Sequence, residues 1–155
     1  MYLGCGSVFY QAQQAFDKIP VRNVVMWNRL LGTCIKHGHF RKVLACMENM
    51  QIEGVFPDAI TFILSLKACG NVGAIEKGEE LHAEVKKNGL LRREVSVGNS
   101  VIHMNIKVGL LGIACQVFDS LPDRDVVTWN TLMSGYIAHG QDELVLVCYD
   151  QMQGE

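Results

Sequence analysis

Three asparagines, Asn28, Asn99 and Asn130, carry the chemistry of most interest in this chain. A carboxamide offers a hydrogen-bond acceptor and two donors on one small group, so it can face the Watson–Crick edge of a pyrimidine. The same group also serves local purposes near the start of a helix, capping free backbone N–H groups or bonding its own backbone. Both readings are open for these residues from their type and place alone. A second constellation, His82-Ala83-Glu84, spells the H-x-E half of a zinc deaminase signature, in which the histidine binds the metal and the glutamate moves protons. The P-C-x-x-C half does not follow, and no C-x-x-C occurs anywhere, so a three-ligand zinc site has no cysteines at suitable spacing. His37, His39, His103 and His139 are scattered over turns and helix ends, with no nucleophile at a recognisable elbow. The expectation is a protein without metal, cofactor or enzyme activity.

Composition narrows the field further. The 155 residues are 49% hydrophobic and 19% charged, the balance of an ordinary folded unit. No apolar run approaches the roughly 20 residues needed to cross a bilayer, and the first residues lack a basic-then-apolar leader, so the chain reads as soluble with no membrane partner and no targeting peptide. A formal charge of −2 gives no global attraction for a polyanion. Any nucleic-acid role must therefore rest on locally placed groups. Of six cysteines, Cys34, Cys46, Cys69, Cys115 and Cys148 fall within apolar helical patterns, where a free thiol acts as a small hydrophobe; a reducing compartment fits.

The organisation comes from internal repetition. Val24-Val25-Met26-Trp27-Asn28 recurs 102 residues later as Val126-Val127-Thr128-Trp129-Asn130, and the same offset carries Ile35, His37 and Gly38 onto Ile137, His139 and Gly140. Leu44, Cys46 and Met50 follow onto Leu146, Cys148 and Met152. Turn glycines at Gly38, Gly73, Gly109 and Gly140, spaced by 35, 36 and 31 residues, divide the interval into three unequal units. Each unit reads as two helices. Val24, Trp27, Leu30, Leu31, Cys34 and Ile35 follow helical spacing up to Gly38, and Phe40, Val43, Leu44, Met47 and Met50 supply a second stripe ending at Gly54. Pro20, Pro57 and Pro122 each precede a new first helix, where proline ends one helix without breaking the next. One such hairpin cannot bury its apolar stripe, whereas stacked hairpins share a continuous core and curve into a superhelix with a concave face. Trp27 and Trp129, on the same face as Leu30 and Leu132, are expected in that core.

The segment Asp-x-x-Pro-x-Arg-(Asn/Asp)-Val-Val-x-Trp-Asn, at Asp17 to Asn28 and again at Asp119 to Asn130, resembles the pentatricopeptide repeat of plant organelle proteins. The alternating lengths are similar to the P, L and S motifs of that family's PLS subclass. The resemblance implies an all-α, right-handed superhelical solenoid of antiparallel helix-hairpin repeats. It divides the chain into a partial S motif at 1–23, a P motif at 24–58, an L motif at 59–94, an S motif at 95–125 and a truncated P motif at 126–155. It also implies binding of single-stranded RNA at one base per repeat, with the fifth and last residues of a motif reading the base and the second packing against it. The reading pairs are then Asn28 with Asp58 and Asn99 with Asp125; Asn23 is the terminal member of an incomplete pair, and Asn130 is a fifth residue whose partner would follow Glu155. Val25, Ile60, Ser96 and Val127 hold the second positions. The L motif offers Ile63 and Glu94, and isoleucine cannot hydrogen-bond a base edge, so that repeat is expected to act as a spacer. By the same resemblance, the Asn and Asp combination favours uracil over cytosine, a deaminase or editing cofactor acts in trans, and the location is mitochondrion or chloroplast. His82 falls where the family commonly has Ile-His-Ala-Glu.

Two departures from the pattern stand out. The span from Cys5-Gly6-Ser7 to Pro20 holds one residue more than its counterpart before Pro122, which predicts a bulge in that helix. Met1 matches the internal Met104, as expected of a truncated fragment of a longer protein. The alternatives to RNA binding are a scaffold that holds peptides in its concave groove and a fragment without function.

Overall fold

Short polar breaks set the helix boundaries, and the same device recurs along the chain. The computed structural model describes residues 2–155, with side chains from Val8 onward. In chain order the helices are α1 Tyr2–Asp17, α2 Val24–Lys36, α3 Phe40–Ile52, α4 Ala59–Val72, α5 Ile75–Lys87, α6 Leu90–Arg93, α7 Val95–Lys107, α8 Leu111–Ser120, α9 Val126–Ala138 and α10 Asp142–Gly154. The helices α2, α4, α7 and α9 each follow one residue in extended backbone, namely Asn23, Asp58, Glu94 and Asp125. Between the first and second helix of each hairpin the chain reverses through Gly38, Gly73, Gly109 and Gly140, all at φ between 69° and 87°. A residue with a Cβ is disfavoured in that left-handed region, which is why glycine punctuates every hairpin.

The hairpins α2–α3, α4–α5, α7–α8 and α9–α10 stack in order. Their first helices touch one another in succession, α2 on α4, α4 on α7 and α7 on α9, and form one layer. The second helices form the other layer, with α3 also packing on α4, α5 on α7 and α8 on α9. Such an arrangement is a solenoid of helical hairpins. Close approach within the inner layer depends on Gly135, where an added Cβ would lie 2.6 Å from Ile106 Cδ1.

The core runs between the two layers. Leu66, Val85, Val97, Val101, Ile102 and Ala114 are wholly buried in one cluster, and Leu31, Cys34, Val43 and Met50 in the other. Trp27 and Trp129 are core residues, packed edge-on against Phe16 and Phe118 at 4.5 and 4.8 Å between ring centroids. Over each pair lies an arginine. Arg22 and Arg124 place their guanidinium groups 4.6 Å from the Phe16 and Phe118 rings and donate to the carbonyls of Phe16 and Asp17, or Phe118 and Asp119. They then reach Glu53 and Glu155 at the end of the following second helix. Cys34, Cys46, Cys69 and Cys148 are buried as free thiols, and Cys115 is half-buried.

Two local features differ from the sequence reading. Helix α1 is unbroken from Tyr2 to Asp17, so the extra residue before Pro20 is absorbed in regular helix and the expected bulge does not form. The correspondence of Met1 with Met104 lies outside the described residues. Helix α6, one turn inserted between α5 and α7 and anchored by the buried Leu91, has no counterpart in the periodicity. Among the described residues no helix is long and apolar enough to cross a membrane.

Candidate nucleic-acid interface

The first turns of the inner helices bring three side chains together twice. At the junction of α2 with α4, the Asn28 amide donates to Asp58 Oδ1 at 2.9 Å, and its oxygen lies 2.7 Å from the Thr61 hydroxyl. Asp58 is the N-cap of α4: its carboxylate accepts the Thr61 N–H at 3.0 Å while its own N–H donates to the Thr61 hydroxyl at 3.1 Å. At the junction of α7 with α9 the same set forms from Asn99, Asp125 and Thr128. Asn99 donates to Asp125 Oδ1 at 3.1 Å, and its amide oxygen lies 2.6 Å from the Thr128 hydroxyl. Asp125 caps α9 through the Thr128 N–H at 2.8 Å, with the reciprocal bond at 3.1 Å. Asn28 and Asn99 lie inside α2 and α7, whose N-cap residues are Asn23 and Glu94, so neither amide caps a helix. Their side chains cross between repeats instead.

Asn28 and Asn99 are only 9% and 8% exposed, so each amide shows a narrow window to solvent. Asn130 stands at the same turn of α9, where no further helix packs over it in this chain, and it is exposed. Asn23 caps α2 by accepting the Met26 N–H at 3.0 Å and is also exposed. Beside these groups the second residues of the inner helices point outward. Val25, Ile60 and Val127 are 54%, 55% and 58% exposed. Ser96 is exposed at the equivalent place on α7.

Electrostatics follows from the same contacts. Partial burial alone would raise Asp58, but hydrogen bonds, chiefly from the Thr61 N–H and the Asn28 amide, outweigh it and hold the carboxyl below its ordinary range. The Thr128 N–H, then Asn99, do the same for Asp125 against a smaller opposing effect of burial. Both carboxylates are therefore ionised and accept only. A groove of about 420 Å³ runs beside the second set and is lined by Ile63, Lys67, Asn99, His103, Asp125 and Val127 among others. It adjoins one of about 670 Å³ between α7 and α9, reached by His103, Lys107, Val127 and Asn130. Burial, then the charges of Lys107 and Lys67, depress the His103 pKa below its ordinary value. Lys67 and Lys107 place positive charge on these grooves in a chain whose net charge is −2.

The structure does not join Ile63 and Glu94 as a pair. Ile63 packs against the core, and Glu94, the N-cap of α7, makes no side-chain capping bond. His82 is half-buried on α5, its pKa lowered by burial and by Lys86 against the opposing charge of Glu79. Among the described residues no cluster of three or more His, Cys, Asp or Glu is placed to hold a metal. Thr61 and Thr128 went unnoticed in the sequence, although the Asp-x-x-Thr spacing at a helix start is a capping signal that could have found them.

Comparison with known proteins agrees with this geometry. Residues 22–71 match the PPR repeat family and residues 127–155 the PPR repeat. A chloroplastic pentatricopeptide repeat-containing protein of Arabidopsis thaliana is 36% identical over 149 residues, 96% of this chain and 18% of that protein. A mitochondrial one from the same plant is 34% identical over 152 residues, 98% of this chain and 24% of its own length. The chain thus spans about a fifth of the relatives it matches. The fold is similar to that of the pentatricopeptide repeat protein PPR10 in complex with an 18-nt psaJ RNA element, with a TM-score of 0.76 and 21% identity over 92% of this chain and 21% of that one. Repeat phase, hairpin stacking and these matches together place the chain in the pentatricopeptide repeat family.

Proposed function

We propose that this chain binds single-stranded RNA along its inner layer, as the recognition part of organelle RNA processing or C-to-U editing. The observation that carries the proposal is the double occurrence of one hydrogen-bonded Asn–Asp–Thr set, its asparagine and threonine buried, beside an exposed apolar second residue. Asn28 with Asp58 and Asn99 with Asp125 read one base each, and Val25, Ile60 and Val127 lie against base faces, with Ser96 making a poorer contact. Asn23 is the last residue, and Asn130 the fifth residue, of two further reading positions. The repeat units are 1–23, 24–58, 59–94, 95–125 and 126–155. Base selection favours uracil over cytosine, and the unit holding Ile63 and Glu94 is a spacer, which gives a U-x-U register read 5′ to 3′ from the amino end. Lys67 and Lys107 supply the local positive charge for phosphates that the net charge lacks. Chemistry on the RNA is left to a deaminase or editing cofactor in trans. The relatives' chloroplastic and mitochondrial names support an organelle location, and PPR10's complex with an RNA element supports the choice of ligand.

Titration of the chain with short oligoribonucleotides tests the reading. Tighter binding of U-x-U than of A-x-A is expected; equal affinity for the two would remove the base-reading assignment.

A further inference from the structure

The two threonines are fixed by proton bookkeeping. An ionised carboxylate has no proton to give, so the NH₂ end of Asn28 must face Asp58. That leaves the Asn28 oxygen 2.7 Å from the Thr61 oxygen, a separation at which one hydrogen must lie between them. Only the threonine hydroxyl carries one. Although Thr61 Oγ1 also lies 3.0 Å from Asp58 Oδ1, that oxygen already accepts the Thr61 N–H and the Asn28 amide. The hydroxyl proton therefore points to Asn28. Identical reasoning at the other junction, with 2.6 Å to Asn99 Oδ1 and 2.8 Å to Asp125 Oδ1, directs the Thr128 proton to Asn99.

We propose that Thr61 and Thr128, third residues of the helix after the one being read, are specificity-determining positioning residues: each pins the oxygen end of the preceding asparagine amide. The proposal rests on the base-reading role of Asn28 and Asn99. A turned amide would set its oxygen against a carboxylate, so both of its ends are held. The hydroxyl occupies one lone pair of the amide oxygen, and the amide meets a base chiefly through its remaining N–H. An N–H suits the keto oxygen that uracil presents where cytosine presents an amino group. Take the hydroxyl away and the freed lone pair can accept from that amino group. Cytosine then gains relative to uracil. Base choice in one repeat thus depends on the next, and a reading unit straddles the junction.

The test uses the full chain and two RNAs, U-x-U and U-x-C, which differ at the position read by Asn99. Thr128→Val keeps the shape and the cap bond to the backbone N–H but removes the hydroxyl. The uracil-over-cytosine ratio is expected to fall by about three- to tenfold, the range of one net hydrogen bond, and Thr128→Ser should restore it. Thr61→Val, read with C-x-U, should act at the first position only, which keeps the test open if one valine variant does not fold. An unchanged ratio in a folded Thr→Val variant overturns the threonine role while the base reading stands. No discrimination between U-x-U and A-x-A by the unmodified chain overturns the base reading and this proposal with it. In that same unmodified chain, the side-chain NH₂ protons of Asn28 and Asn99 should exchange with solvent more slowly than those of Asn130. Equal exchange at all three would also overturn the clamp.

Discussion

Two junctions of the inner layer, α2 with α4 and α7 with α9, can be set against the third, α4 with α7. All three pack a first helix on its predecessor and begin the later helix after an extended residue. At the first two, that residue is an aspartate whose carboxylate holds a threonine N–H and an asparagine amide. At the third it is Glu94, exposed and without a side-chain cap bond, and Ile63 and the fully buried Val97 stand at the places held elsewhere by asparagine and threonine. The start of α7 is steadied by other means: the short α6 turn, anchored by Leu91, leads directly into it. Stacking of hairpins therefore does not require the polar set. What the polar set adds is an oriented amide at the surface of the groove.

The largest expected effect separates the two kinds of junction by stability. Replacing Asp58 or Asp125 with alanine removes a helix cap, about 1 kcal/mol, and strands a buried amide N–H, about 1–2 kcal/mol more. A loss near 2–3 kcal/mol is expected in denaturant melts for each. Glu94→Ala makes no comparable break and should stay within about 0.5 kcal/mol. A Glu94 loss as large as the aspartate losses would erase the distinction.

Next comes nucleotide preference. Asn28→Ala and Asn99→Ala should each cut the preference for uracil over adenine at one position of U-x-U by about tenfold, near the upper end for one hydrogen bond. Ile63→Ala should leave preference at the middle base untouched. Competition titrations with single-position changes in the RNA measure both, and a base preference that follows Ile63 would break the spacer assignment.

Much of this comparison is readable in the sequence, and the part that is not has a physical cause. The hairpin glycines and the prolines before each first helix act through backbone sterics, which are local, so Gly38, Gly73, Gly109 and Gly140 mark reversals correctly. Trp27 and Trp129 announce the core by helical spacing. The asparagines do not disclose their partners, because Asn28 meets Asp58 and Thr61 from 30 and 33 residues away, through stacking that no local window contains. From sequence alone, capping by Asn28 is as natural as base contact; the fold gives the α2 cap to Asn23 and turns the Asn28 amide to Asp58 and Thr61. The Asp58-x-x-Thr61 cap is legible locally, but the contact of Thr61 with Asn28, 33 residues away, is not. Helix α6 escaped because four residues are too few to show a period.

A milder effect sharpens the comparison by building the missing set. Ile63→Asn with Glu94→Asp supplies an amide and a carboxylate at the α4–α7 junction, and adding Val97→Thr supplies the hydroxyl. The triple variant should gain about a threefold preference for uracil at the middle base, one modest hydrogen bond's worth. The double variant should gain less uracil-over-cytosine selectivity than the triple. If double and triple variants bind U-U-U and U-C-U alike, the difference between junctions does not lie in these three side chains.

The smallest effect is that of pH, and the junctions divide there too. Asp58 and Asp125 have pKa values below the ordinary 3.8, so the stability they confer is complete above that value and is lost as pH falls through their lower folded-state values. His103 works in another window. Its folded-state pKa lies below the ordinary 6.5, held there by burial and by Lys107 and Lys67, so the free chain resists protonation and loses a little stability as pH falls below about 6.5. Phosphates seated against the two lysines would offset their field, and Asp125 in the same groove already opposes it in part. Bound RNA should then raise the His103 pKa, and proton uptake on binding means that affinity increases as pH drops. Between pH 7.5 and 6.0 the gain should be less than about threefold for one partly exposed histidine, and His103→Gln should flatten it. An affinity that is flat in the unmodified chain, or that weakens over this range, would put the phosphates elsewhere than beside Lys67 and Lys107.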